Sequence, residues 1–124
     1  MISTKSAKNV EIIHTNSVTL GIARAVGTID FYPNGGSHQL GCARNIAGMN
    51  CCHQRSHQYF AESLTSQLGF KGVRCENFNK YKTGACYDDK VLMGGNKKAS
   101  PSGKFYLVTN ARFPFAKGSE GIYY

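Results

Sequence analysis

Residues 27–36 of the 124-residue chain read Gly27-Thr28-Ile29-Asp30-Phe31-Tyr32-Pro33-Asn34-Gly35-Gly36. The β-branched and aromatic residues at 26–32 predict a strand. Pro33 stops that strand because proline cannot donate to a ladder, and Asn34-Gly35-Gly36 supplies the positive φ angles of a turn. The chain therefore contains a strand that runs directly into a tight turn.

Two further strands and one helix are predicted around this element. The run Val10-Glu11-Ile12-Ile13-His14-Thr15 predicts a strand buried on at least one face, and residues 104–109 predict a last strand. Residues 37–50 are expected to be irregular, and residues 69–103 to form a long loop. Three strands and one helix are few for a free-standing domain, so we expect part of a larger α/β fold.

Apolar and histidine residues at helical spacing predict a helix that starts at His53 and stops at Gly69. We expect its core-facing stripe to consist of His53, His57, Phe60, Ala61, Leu64 and Leu68. We expect its solvent face to carry Gln54, Arg55, Gln58, Glu62, Thr65 and Ser66.

Composition excludes several classes of protein. Hydrophobic residues make up 41% of the chain, yet no stretch reaches the roughly 20 apolar residues of a membrane-spanning helix. No hydrophobic run of a signal peptide is visible at the start. The net charge is +8, with eight basic and three acidic residues between positions 71 and 104. Because the basic residues are scattered, they favour a solvated face or attraction to anionic lipid over nucleic-acid binding.

Five cysteines, at 42, 51, 52, 75 and 86, fit two disulfides and one remaining thiol, which indicates an oxidising compartment. A zinc site made from Cys51, Cys52, His53 and His57 is the alternative. Adjacent cysteines are poor zinc ligands compared with the usual C-x2-4-C spacing, so disulfides are favoured.

Several collinear motifs resemble those of the animal pancreatic-lipase family. The residues at 27–36, followed by Gln39-Leu40-Gly41-Cys42, are similar to its "G-x-x-D-F-Y-P-N-G-G … Q-P-G-C" signature. Residues 10–16 resemble its "V-x-x-I-H-T-[DN]" strand, and Cys51-Cys52-His53-Gln54-Arg55-Ser56 resembles its "C-x-H-x-R-[SA]" motif. The resemblance covers residues 9 to about 115 and continues through Cys75, Cys86 and residues 103–107.

The resemblance implies the carboxyl-terminal part of an α/β-hydrolase fold, with an incomplete sheet, in a single partial lipase domain over residues 1–124. It implies a secreted, extracellular hydrolase of carboxylic esters of lipids that contacts lipid surfaces peripherally and needs no cofactor or metal. Only eight residues separate Cys42 from Cys51, a short lid typical of phospholipase A1 members, including those of insect venoms, rather than of triglyceride lipases.

The resemblance also implies that His53 is the catalytic general base. Its partners are expected outside this chain, because no G-x-S-x-G string occurs and Ser37 lacks the second glycine. The chain alone is expected to be inactive. His14, His38 and His57 are interpreted as structural, and so is Asp30. Asn16 is an amide that cannot stabilise an imidazolium.

Two points stay open at this stage. The family pattern pairs Cys42 with Cys51 and Cys75 with Cys86 and leaves Cys52 over, but spacing also permits Cys42 to pair with Cys52. The alternatives to a phospholipase A1 are a triglyceride lipase, a non-catalytic lipid-binding relative, and a small basic disulfide protein that binds anionic surfaces.

Overall fold

A computed structural model describes residues 10–16, 27–95 and 102–124. Its strands are β1 (Glu11–Ile13), β2 (Ile29–Pro33), β3 (Lys71–Arg74), β4 (Lys90–Leu92) and β5 (Gly103–Leu107). Helix α1 spans Ile46–Ser63, helix α2 spans Phe78–Lys82, and a short 3₁₀ helix spans Ser119–Ile122. Val26, at the start of a predicted strand, lies outside the described residues.

The five strands form one mixed sheet in the order β1-β2-β5-β3-β4. Strands β1, β2 and β5 are parallel, with Ile13 beside Phe31 and Phe31 beside Phe105. Strand β3 runs antiparallel to both β5 and β4. Because β1, β2 and β5 point the same way, the residues that follow them meet at one edge of the sheet, which we call the carboxyl edge.

Each face of the sheet carries a core cluster, and successive residues of a strand contribute to opposite faces. Phe31 of β2 and Phe105 of β5 belong to the core cluster that includes Tyr59 of α1. Tyr32 and Tyr106, one position further along the same strands, belong to the cluster that contains Tyr81 of α2. All five residues of β2 are buried.

The strand and turn predicted at residues 27–36 are confirmed. Strand β2 ends at Pro33, and Asn34, Gly35 and Gly36 follow with φ angles of 54°, 89° and 84°. The amide of Asn34 donates to the carbonyl of Leu107, which ties the turn to the end of β5. The predicted strands at residues 10–15 and 104–109 correspond to β1 and β5.

The predicted start of the helix at His53 is wrong. Helix α1 begins at Ile46, because the side-chain oxygen of Asn45 accepts the amide of Gly48 at 3.0 Å and caps the helix. Gly48 is required there, since a Cβ would lie 1.6 Å from the carbonyl oxygen of Ala43. The helix ends at Ser63 rather than running on to Gly69.

The predicted assignment of the two helix faces is also wrong. Helix α1 buries Gly48, Cys52, Arg55, Tyr59 and Glu62. The residues predicted to face the core are exposed: His53, His57, Phe60, Ala61, Leu64 and, just past the helix, Leu68. The reason is that buried partners for Arg55 and Glu62 lie on the other side. The Glu62 carboxylate accepts the amides of Phe115 and Ala116, both at 2.8 Å.

Residues 69–103 are not the predicted long loop, because they contain β3, α2 and β4. Strand β3 is stabilised by pairing on both sides. Such pairing joins residues distant in the chain and leaves little local periodicity in a four-residue strand. None of the helices in the described ranges is long and apolar enough to cross a bilayer.

We expect Glu62→Ala to lower the free energy of unfolding by about 2–4 kcal/mol, because two buried backbone amides would lose their acceptor. Glu62→Gln keeps one carbonyl oxygen and should lose roughly half as much. Urea unfolding of both variants would measure this, with the exposed Gln54→Ala on the same helix as control. Equal stability of Glu62→Ala and Gln54→Ala would contradict the assignment.

Candidate functional site

His53 is exposed on α1, immediately after the part of the helix that touches the carboxyl edge. The Asn16 side chain, which follows β1, donates to the Met49 carbonyl at 3.5 Å. The amide of Gln39, which follows β2, donates to the Cys52 sulfur at 3.2 Å. The turn of α1 before His53 is therefore held against the ends of two parallel strands.

The segment between Cys42 and Cys51 is shaped by a disulfide and by the start of α1. The two cysteines are bonded, with their Cα atoms 5.7 Å apart. Residues 46–50 already belong to the helix, so only residues 43–45 form a loop. The predicted short lid is thus mostly the first turn of α1, and the region that it can cover is small.

A cavity of about 530 Å³ opens at the same place. Its walls include Asn16 after β1, His38 and Ser37 after the signature turn, and Arg44 and Met49 from the disulfide-closed segment. His38 Nε2 donates to the Cys42 carbonyl at 2.7 Å, which fixes that ring in the wall. His53 follows Cys52, a wall residue, but does not itself line the cavity.

Four polar side chains tie α1 to the carboxyl edge. Tyr59 of α1 donates to Gln39 Oε1 at 2.9 Å, and Asn34 Nδ2 donates to the same oxygen at 2.9 Å. Asn34 also donates to Thr109 Oγ1 at 2.9 Å and accepts the Thr109 amide at 3.1 Å. Burial raises the pKa of Tyr59, so its phenol keeps the proton that it donates.

Arg55, two residues after His53, links the helix to two loops. Its Nη1 donates to Gln58 Oε1 at 2.7 Å, and its Nη2 donates to the Leu40 carbonyl at 3.4 Å. Its guanidinium carbon lies 4.7 Å from the centre of the Phe115 ring, a cation–π distance. Arg55 therefore fixes the rotation of α1 about its axis and, with it, the direction of His53.

The inward direction of Arg55 and Glu62 was not predicted from the sequence, because the apolar stripe placed both residues on the solvent face. A signal was present, since Gly48, Cys52, Arg55, Tyr59 and Glu62 recur every three or four residues. The stripe predicted to face the core has the same period and is more hydrophobic. Periodicity alone therefore predicts the wrong face of α1 as the buried one.

His14 and Asp30 form a separate buried pair. His14 Nε2 lies 2.8 Å from Asp30 Oδ1, and the His14 ring stacks on Tyr32 at 4.4 Å. The Asp30 carboxylate also accepts the amide of Gly27 at 3.1 Å. These contacts join β1 to β2 in the interior of the fold. They agree with the structural role that the sequence predicts for both residues.

The alternative zinc set loses a ligand, because the Cys51 sulfur is bonded to Cys42. Cys75 is likewise bonded to Cys86, and Cys52 is a buried free thiol. Within the described part of the chain, no three His, Cys, Asp or Glu side chains are grouped as metal ligands.

A second cavity, of about 670 Å³, lies beside the Cys75–Cys86 disulfide, far along the chain from His53. Three basic and three acidic residues line it, and two ion pairs join four of them. Arg74 Nε lies 2.9 Å from Asp89 Oδ2, and Lys80 contacts Glu76. It therefore presents no unbalanced charge to a ligand, although it is the larger cavity.

A family model described as Lipase matches residues 1–115. Lipase member H-B of Xenopus laevis is 33% identical over 129 aligned residues, which cover 88% of this chain and 28% of that protein. Phospholipase A1 of Vespa crabro is 35% identical over 118 residues, covering 94% of this chain and 38% of that protein. Pancreatic lipase-related protein 2 of Bos taurus is 33% identical over 99 residues.

The parallel strands, their turn and the histidine-bearing helix are thus found in a chain that belongs to the Lipase family. The resemblance stated from the motifs is confirmed. The chain spans 28% of the length of its Xenopus laevis relative and 38% of the Vespa crabro one.

We expect non-reducing peptide mapping of the protein to recover the Cys42–Cys51 and Cys75–Cys86 peptides, with Cys52 alkylated only after unfolding. Removing the second bridge in a Cys75→Ala/Cys86→Ala variant should lower the free energy of unfolding by roughly 2–3 kcal/mol, because the bridge closes a short loop. A Cys42–Cys52 peptide, or five free thiols, would contradict the pairing.

Proposed function

We propose that this chain is the carboxyl-terminal part of the α/β-hydrolase domain of an extracellular enzyme that hydrolyses lipid esters, with His53 as its general base. The observation that carries the proposal is the position of His53. It occupies the family's C-x-H-x-R motif, it is exposed, and the preceding turn of α1 is bonded to the residues that follow β1 and β2. Two disulfides in a chain of this length support an extracellular site of action.

The nucleophile and the carboxylate of the triad are proposed to come from polypeptide outside these 124 residues. The chain has no G-x-S-x-G string, and its relatives are much longer. The acidic residues Asp30 and Glu62 form other contacts, since Asp30 bonds to His14 and Glu62 accepts two backbone amides.

The proposed reaction is acyl transfer. His53 accepts the proton of the serine hydroxyl as the serine oxygen bonds to the ester carbonyl carbon, and then returns that proton to the oxygen of the leaving alcohol. The same imidazole then accepts a proton from water as the water oxygen bonds to the acyl carbon. The bond from that carbon to the serine oxygen breaks, the imidazole returns the proton to the serine oxygen, and the fatty acid is released. The hydrogen bond from Arg55 to the Leu40 carbonyl and the hydrogen bonds made by Asn16 and Gln39 hold the helix that carries this base in place.

Phospholipid is proposed as the substrate in preference to triglyceride. The segment between the cysteines is mostly helical and too small to cover a wide apolar trench. Arg44 in the cavity wall suits a substrate with an anionic head group. The similarity to a protein named phospholipase A1 agrees with this choice.

In the full-length protein, we expect His53→Ala to reduce phospholipid hydrolysis by about 10⁴-fold or more, because loss of a triad member removes general-base catalysis. His57→Ala, one helical turn further on and also exposed, should keep most of the activity. Release of fatty acid from phosphatidylcholine, with circular dichroism as a check of folding, measures both. Equal loss in the two variants would contradict the assignment of His53. A full-length protein that binds lipid without turnover would instead favour the non-catalytic relative.

The 124-residue chain alone should not hydrolyse phospholipid or p-nitrophenyl esters above a histidine background, because it offers a base without a nucleophile or an oxyanion hole. Initial rates of the chain and of the full-length protein, at equal concentration, test this. Robust esterase activity of the short chain, lost on His53→Ala, would show that the nucleophile lies within these residues.

A further inference from the structure

Gln39 lies between the ends of two parallel strands and the helix that carries His53, and it is completely buried. Its Nε2 donates to the carbonyl of Pro33, the last residue of β2, at 2.9 Å. The same nitrogen donates to the carbonyl of Thr15, which follows β1, at 3.5 Å. The side-chain amide of Gln39 is therefore anchored to the carboxyl edge of the sheet.

The same residue contacts α1 at two points, one before and one after His53. Its backbone amide donates to the sulfur of Cys52 at 3.2 Å, and its Oε1 accepts the phenol of Tyr59 at 2.9 Å. The seven residues between these points correspond to about 10 Å along a helix. Two contacts with one anchor fix both the height of a helix and its rotation, whereas a single contact would leave the helix free to turn about that point.

No hydrogen-bonding capacity of the Gln39 side chain is left for a substrate. Its Oε1 also accepts Asn34 Nδ2 at 2.9 Å, so both lone pairs of that oxygen are used. Both hydrogens of Nε2 are used by the carbonyls of Pro33 and Thr15. Gln39 can therefore affect a reaction only through the residues that it holds.

We propose that Gln39 is the positioning residue of His53 and holds α1 against the carboxyl edge through Cys52 and Tyr59. The inference rests on the proposed function, because the position of His53 matters to a rate only if His53 takes part in the reaction. A displacement of about 1 Å in a reacting group can cost ~10²-fold in rate. Loss of the Gln39 contacts should therefore lower kcat and leave KM nearly unchanged.

Tyr59→Phe and Tyr81→Phe in the full-length protein form a matched pair of variants. Each removes the hydroxyl of a buried tyrosine, but Tyr59 donates to Gln39, whereas Tyr81 donates to the Gly121 carbonyl in the other core cluster. We expect Tyr59→Phe to lower kcat on monomeric short-chain phosphatidylcholine about fivefold, with KM changed less than about twofold. Tyr81→Phe should leave both constants unchanged. Urea unfolding of the two variants compares their losses of stability.

Gln39→Glu should change the pH profile of the reaction. A protonated carboxyl group keeps one donor and one acceptor, as the glutamine amide does, whereas a carboxylate has no hydrogen for the Pro33 carbonyl. Burial raises the pKa of a carboxyl group, so the ratio of kcat in Gln39→Glu to kcat in the unchanged protein should rise as the pH falls from about 9 to about 6. Gln39→Leu should stay about tenfold low throughout. Circular dichroism at each pH checks that the variants are folded.

Hydrogen exchange of the α1 amides next to His53 is a readout that needs no turnover. It should be faster in Tyr59→Phe than in the unchanged protein and unaltered in Tyr81→Phe. Equal kcat and equal exchange in these two variants would overturn the proposal, as would a loss confined to KM or a Gln39→Glu ratio that does not change with pH. A full-length protein that hydrolyses no ester, yet shows the expected exchange, would contradict the proposed function and leave Gln39 as the residue that positions α1.

Discussion

A buried polar network holds the carboxyl edge of this sheet in place. Gln39, Tyr59 and Thr109 are almost inaccessible to water, and Asn34 completes their hydrogen bonds. A buried polar group without a partner costs about 1–3 kcal/mol, so these residues can be buried only if the signature turn, the end of β5 and helix α1 meet. The position of α1, and of every side chain that it carries, depends on these contacts between the turn at residues 34–36, the end of β5 and the helix.

The rotation of α1 about its axis follows from a second constraint on charge. Arg55 and Glu62 point inward, where the arginine contacts a ring and a carbonyl and the carboxylate accepts two backbone amides, although the buried Nε of Arg55 has no hydrogen-bond partner. Charged side chains are seldom buried unless they are paired in this way. Their inward direction leaves His53 in solvent and draws the loop at residues 110–115 onto the helix.

The two ends of the fold differ in electrostatic character. Around the Cys75–Cys86 disulfide, acidic and basic side chains neutralise one another in local pairs. At the carboxyl edge, the exposed charged residues of the loops at residues 38–45 and 110–115 are Arg44 and Arg112. The proposed general base and the cavity that opens beside its helix thus share one edge.

The sequence by itself determined the elements whose chemistry is local. Pro33 and Asn34-Gly35-Gly36 end β2 through their own backbone preferences, and the run at residues 10–15 favours a strand. Collinear motifs identified the family. The tertiary structure alone decided which face of α1 is buried, because two stripes of equal period competed and only the partners at Leu40, Phe115 and Ala116 distinguish them. The tertiary structure also determines strands β3 and β4, because their stability comes from pairing with residues distant in the chain.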